Sequence, residues 1–222
     1  MIDTATATVS LPKIGDPAPD FTANTTQGPL TFSQWQEGKW VVLFSHPADF
    51  TPVCATEITE LAKRSTEFEK RSVKLIGLSV DSIHSHLAWI QNLEKILGTK
   101  VHFPMIADGN TAVAQKYGMI HPGASETVTV RAVFFIDPKR VIRGIIYYPL
   151  NVGRNVDEIV RFVDALQAAD THAVSLPVNW KPGDKAIVPA PKTEADVADR
   201  LSGKYESLDF YLCKKPIDAK KS

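Results

Sequence analysis

The sequence predicts an α/β domain, a mixed β-sheet with helices on both faces, followed by a smaller C-terminal extension. Three observations carry this reading. Short continuous apolar runs (40–44, 73–80, 103–107 and 130–136) have the length and branched-residue content of strands covered on both sides. The segments between them are amphipathic, with helix start and stop signals. From Thr171 onward the texture changes to proline-rich, extended chain. The division expected is a tail over 1–13, an α/β domain over 14–170 and an extension over 171–222.

Taken in order, Gly15-Asp-Pro-Ala-Pro-Asp20 is a proline-stiffened entry, and 21–24 and 28–32 read as short strands or a hairpin about Gln27-Gly28. Residues 33–38 form a turn or brief helix, and Trp40–Phe44 a buried strand. An amphipathic helix is expected over 55–70, with Ile58, Leu61, Ala62, Ser65 and Phe68 inward and Glu57, Glu60, Lys63, Arg64 and Glu67 mostly toward water. Val73–Val80 is a second buried strand. Asp81-Ser82 opens a helix with Leu87, Ile90, Leu93, Glu94 and Leu97 on one stripe, closed by Gly98. A strand over 103–107, a short helix over 111–117, a hairpin of 130–136 with 141–147 and a helix over 155–169 complete the domain. The order β-α-β-α-β-α-β-β-α calls for a mixed sheet with one antiparallel edge. In the extension, 194–201 is one short helix and 205–213 a final strand. This segment is too small to hold its own core, so it should pack on the first domain or on a second copy of the chain.

The totals exclude several classes. The chain has 222 residues, 44% of them hydrophobic, and zero formal net charge, so there is no global electrostatic case for nucleic acid or an anionic membrane surface. No apolar run approaches the roughly 18 residues of a membrane span. The first ten residues lack a basic start and a long apolar stretch, so they do not read as a secretory signal. Two cysteines, Cys54 and Cys213, without a C-x-x-C pattern suit a reducing, cytoplasmic setting. A structural disulfide between them is the less favoured alternative.

The chemistry concentrates in Phe44–Glu57. Thr51-Pro52 is a helix-start signal, which places Cys54 at the third helical position. There the unpaired N–H groups and the positive end of the helix dipole favour a thiolate. Such a cysteine is a candidate nucleophile; the competing reading is a small buried hydrophobe.

The string Pro47-x-x-x-Thr51-x-x-Cys54, within His46-Pro-Ala-Asp-Phe-Thr-Pro-Val-Cys54, resembles the active-site signature of the peroxiredoxins, in the 1-Cys or peroxiredoxin 6-type branch. Further stretches resemble that branch: Val73–Ser82, His86-Leu-Ala-Trp89, Arg131-Ala-Val-Phe134, Asn151-Val-Gly-Arg154-Asn155 and Leu176-Pro-Val-Asn-Trp180. The resemblance spans about 14–212. It implies a thioredoxin-like fold and thiol-dependent reduction of hydrogen peroxide and organic hydroperoxides through a sulfenic acid on Cys54, without a cofactor or metal. It also implies an external thiol reductant such as glutathione or a thioredoxin-like protein, and a homodimer that can assemble further.

The residue types suit that chemistry. A cysteine of pKa about 8.5 is roughly 3% thiolate at neutral pH, so ionisation alone gains at most about thirtyfold. Most of the acceleration must come from positioning and polarising the peroxide. Arg131 is the one charge in its apolar run; it is either a strand-end residue in water or, as the resemblance implies, the arginine that holds the sulfur and the leaving oxygen. The Thr51 hydroxyl can cap the helix or bind the sulfur and peroxide. Pro47 stiffens the loop. His46, Glu57 and Arg154 are supporting candidates: His46 near the sulfur by resemblance, Glu57 to orient Arg131, and Arg154 as a second family arginine. The histidines at 84, 86, 102, 121 and 172 show no metal-ligand spacing with the cysteines and read as surface or packing residues. Typical two-cysteine relatives carry a resolving cysteine in a V-C-P motif, which this chain lacks; Cys213, in Tyr211-Leu-Cys-Lys-Lys-Pro216, is a candidate resolver or a bystander. Some animal members of the branch carry a phospholipase serine in G-D-S-W-G, but the matching stretch here is Glu37-Gly-Lys39-Trp40-Val41, and that activity is not carried over. The competing functions are a redox-responsive holdase and a cysteine hydrolase; the second needs a recognisable catalytic base, which the sequence does not show.

Overall fold

A computed structural model describes residues 11–217. The chain divides into two compact units, one ending at Arg154 and one beginning at Asn155. The first contains β1 (Thr22–Thr25), β2 (Gly28–Thr31), α1 (Phe32–Gln36), β3 (Trp40–Ser45), α2 (Pro52–Lys63), α3 (Ser65–Lys70), β4 (Val73–Ser79), α4 (Ile83–Leu97), β5 (Met105–Ala107), α5 (Ala112–Lys116), β6 (Arg131–Ile136) and β7 (Ile142–Tyr148).

Its strands form one sheet in the order β2-β1-β5-β4-β3-β6-β7. The central β5-β4-β3 ladder is parallel, and β6 and β7 add antiparallel to β3. The N-terminal hairpin also pairs antiparallel with β5, so both edges are antiparallel, not one as the element order suggested. This is a thioredoxin-like α/β sheet. Its centre is buried throughout: every residue of β3 and of β6 is buried, as the continuous apolar runs require. Gly77 in β4 leaves room for the Phe44 ring of β3; a Cβ there would sit 3.2 Å from that ring.

Three expectations need correction. The helix expected over 55–70 is two helices, starting at Pro52 and broken at Arg64. Glu57, assigned to the wet face, is buried. On α4 the inward face is His86, Trp89 and Leu93, while Leu87 and Leu97 are exposed. Apolar residues occur on both sides of that helix, and a periodicity template counts a histidine as polar. The ends of α4 fall where its caps require: the Ser82 hydroxyl accepts the Ser85 N–H, and Gly98 takes the left-handed conformation (φ 65°).

The second unit contains α6 (Val156–His172), β8 (Ala186–Ile187), α7 (Glu194–Leu201), β9 (Glu206–Asp209) and β10 (Leu212–Lys215). The helix expected to close the first domain, α6, groups here. The strand expected over 205–213 is a hairpin, β9 and β10, which with β8 makes a three-stranded antiparallel sheet. Thr193 and Asp196 form a capping box at the start of α7. Among the described residues no helix is long and apolar enough to cross a membrane.

Candidate active site

The site is built where β3 and β6 separate. Beyond Phe44 the ladder between them ends, and the Ser45 side chain takes over: its hydroxyl donates to the Val130 carbonyl at 2.6 Å and accepts the Ala132 N–H at 3.1 Å. The chain then leaves the sheet through His46–Phe50, turns at Phe50 in the left-handed region (φ 55°), and enters α2 through Thr51 and Pro52.

Cys54 is the third residue of α2 and is fully buried, at 0% exposure. Its surroundings are charged. Arg131 Nη1 donates to Cys54 Sγ at 3.3 Å and to Glu57 Oε2 at 2.6 Å. The rest of that guanidinium is held by the Leu150 carbonyl, which accepts from Nε at 3.1 Å and Nη2 at 2.7 Å. Glu57, one helical turn after Cys54, faces the same way. Its carboxylate also takes the Arg154 backbone N–H at 2.8 Å, Nε at 3.0 Å and Nη2 at 2.8 Å. Arg154 completes its bonds on the Ser45 and Ala132 carbonyls and lies over the Phe44 ring, 5.1 Å from its centroid. All four residues are buried.

Two arginines and one glutamate leave this buried cluster with one positive charge that a thiolate at Cys54 would balance. Burying ions is costly unless each is paired and hydrogen-bonded. Here each is, and the sulfur is the remaining acceptor that Arg131 faces.

The Thr51 side chain does not cap α2. Its hydroxyl donates to the Ala48 carbonyl at 2.8 Å, which commits its hydrogen and leaves its oxygen free to accept. Pro47 is half-buried in the same loop.

His46 belongs to a second buried group. Its Nε2 is 2.9 Å from Asp49 Oδ1, and Asp49 also binds His86 Nδ1, at 2.8 Å through Oδ2 and 3.0 Å through Oδ1. His86 is therefore no surface histidine; it is fully buried beneath the loop. The donor atoms of the three lie within 4.8 Å of one another, the spacing of a possible metal site, but hydrogen bonds already account for the close contacts. Asp49 lies inside the motif that singled out His46, three residues away, a spacing that could have marked it. His86 is 37 residues from Asp49 and carried no local signal.

Cys213 lies in the second unit, on β10, and is also buried. Both thiols are free. Ser207 Oγ is 3.0 Å from its sulfur, and the Asp209, Phe210 and Arg200 carbonyls lie at 3.4, 3.6 and 4.0 Å.

Comparison with known proteins gives matching results over both parts of the chain. Residues 14–145 match the AhpC/TSA family, and residues 165–204 match the C-terminal domain of 1-Cys peroxiredoxin. A peroxiredoxin of Aquifex aeolicus is 53% identical over 219 residues, which cover 94% of this chain and 99% of that one. Among solved structures, a yeast mitochondrial 1-Cys peroxiredoxin, studied for thiol resolution by glutathione and thioredoxin systems, superposes with a TM-score of 0.83 at 43% identity, over 92% of this chain and 99% of that one. The C45S mutant of peroxiredoxin 6 of Arenicola marina superposes with a TM-score of 0.84 at 35% identity, over 95% and 99%.

Proposed function

Since the chain belongs to the 1-Cys peroxiredoxins and is a thiol peroxidase of that family, we propose that Cys54 is its peroxidatic cysteine and that Arg131, Thr51 and Pro47 complete the reacting site. The observation that carries this is the Arg131 guanidinium, buried and fixed by Glu57 and Leu150, with Nη1 on the Cys54 sulfur. The thiolate attacks the terminal peroxide oxygen, the O–O bond breaks, and its electron pair leaves on the second oxygen. Arg131 and the N–H groups of the first turn of α2 stabilise the charge as it moves. The free lone pairs of Thr51 Oγ1 accept the peroxide O–H and orient it. Pro47 stiffens the loop that shields the sulfur. Glu57 and Arg154 hold Arg131 in place.

The product is a sulfenic acid on Cys54, and an external thiol returns it to the thiol. Glutathione or a thioredoxin-like protein is the reductant we propose, hydrogen peroxide and organic hydroperoxides the substrates, and the cytoplasm the setting. Because Cys54 is fully buried, the peroxide and the larger reductant both need a local opening of the site to reach the sulfur. We assign Cys213 as a bystander thiol and the C-terminal segment as the surface for a homodimer, which can assemble further. Leu208 and Tyr211, exposed on the β9–β10 hairpin, and Leu201 at the end of α7 support that surface.

Peroxide consumption by Cys54→Ser tests the assignment. Turnover should fall by at least about a thousandfold, because no other group supplies the nucleophile. Parent-like turnover in a folded Cys54→Ser protein would refute it.

A further inference from the structure

The ladder between β3 and β6 stops one pair short, and the site is built on that stop. The strands pair residue for residue from Val41 opposite Ile136 to Phe44 opposite Val133. The next pair in this register is Ser45 opposite Ala132. Opposed residues of an antiparallel pair exchange backbone N–H and C=O groups at alternate positions. Here the Ala132 N–H goes to the Ser45 hydroxyl instead, at 3.1 Å. The one hydrogen of that hydroxyl goes to the Val130 carbonyl at 2.6 Å. A second hydroxyl braces the same place: Thr129 Oγ1 donates to the His46 carbonyl at 2.8 Å. Ser45 and Thr129 are both at 0% exposure, so neither hydroxyl is there to meet water.

The diverted N–H leaves the Ser45 carbonyl to another donor, and that donor is Arg154. Its Nη1 carries two hydrogens. One reaches the Ser45 carbonyl at 2.9 Å and the other the Ala132 carbonyl at 3.2 Å. A side-chain nitrogen thus bridges the two strands where a backbone bond would otherwise join them. The other edge of the guanidinium grips Glu57, through Nε at 3.0 Å and Nη2 at 2.8 Å. Glu57 in turn holds Arg131 Nη1, which faces the Cys54 sulfur. Every link from the Ser45 carbonyl to the sulfur is a direct hydrogen bond between buried groups.

We propose that Ser45 is a positioning residue for peroxide reduction. Its hydroxyl keeps β3 and β6 from closing by one more backbone bond, so that Arg154 stays seated between them and presents Glu57 to Arg131. The proposal rests on Cys54 as the reacting sulfur. Without the hydroxyl, the Ala132 N–H would be buried and unpaired, which is costly. The acceptor that the register places opposite it is the carbonyl of residue 45. Closing that bond takes away one of the two acceptors of Arg154 Nη1. The guanidinium then shifts, and Glu57 and Arg131 shift with it.

Arginine side-chain proton–nitrogen spectra of the reduced full chain read the seat directly, with Arg154 assigned by through-bond correlation to its own backbone. The Arg154 Nη1 protons should exchange slowly in the parent and lose that protection in Ser45→Ala. The second-order rate with hydrogen peroxide should fall by about tenfold in Ser45→Ala, because a small displacement of a positioning group is expensive. In an Arg154→Lys background the same substitution should change the rate by no more than about twofold, since its route to the sulfur is already cut. Three results overturn the proposal: unchanged Arg154 protection in Ser45→Ala, a rate within about twofold of the parent, or the whole tenfold loss repeated on top of Arg154→Lys. The exchange measurement involves no turnover. It therefore fails or holds separately from the Cys54→Ser assay, which alone decides the reacting sulfur.

Discussion

The two cysteines make an internal control. Both are buried, at 0% and 1% exposure, and both are free. Around Cys54 stand an arginine N–H at 3.3 Å, a second arginine held through a shared glutamate, and the start of a helix. Around Cys213 stand a serine hydroxyl and three backbone carbonyls. Carbonyls accept from an S–H but offer nothing to an anion or a leaving oxygen. The contrast teaches that accessibility does not tell these two sulfurs apart; the donors facing them do.

The sharpest way to erode that contrast is to remove the donor. Arg131→Met keeps the length and loses the charge, and should slow peroxide reduction by about a hundredfold or more. A loss within about thirtyfold would mean that the arginine acts through sulfur ionisation alone. Glu57→Gln leaves two buried arginines without their carboxylate and should cost about 3–5 kcal/mol in urea unfolding, with activity falling as Arg131 loses its anchor.

The pH dependence of stability sharpens the picture of the neighbouring histidine group. His86, raised above its ordinary 6.5, contributes stability that is full below that pH and is lost as the pH rises toward its folded value. His46, depressed below 6.5, contributes above that pH and loses it as the pH falls toward its folded value. Asp49 contributes above its ordinary 3.8, and that part is lost as the pH falls below it. Unfolding free energy should therefore peak near pH 6.5, and Asp49→Asn should flatten the alkaline limb. A parent-like alkaline limb in that variant would show that His86 draws its charge from elsewhere. The smallest effect is expected from Cys213→Ser: a change within about twofold in peroxidase rate, since a lone serine hydroxyl and backbone carbonyls, and no cation, face that sulfur.

What could be read in advance follows the range of each interaction. Cys54 at the third helical position was legible because Thr51, Pro52 and the following stripe are local signals. Arg131 stood out as the one charge in an apolar strand, but that alone suited a strand end in water better; the family resemblance is what marked it as a site arginine. Glu57 was misplaced on the wet face because its partners, Arg131 and Arg154, lie 74 and 97 residues away, and only the fold brings them to it. His86 was hidden for the same reason. The hairpin of β9 and β10 turns through Phe210 and Tyr211, which carry none of the glycine or asparagine that marks a tight turn.

One equivalent of hydrogen peroxide added to the reduced chain, with a sulfenic-acid trapping reagent present and the adduct located by peptide mass, tests the central assignment most directly. The adduct should lie on Cys54, with Cys213 unmodified and the chain free of disulfide. An adduct on Cys213, or a disulfide through it forming before any trapping at Cys54, would contradict the account.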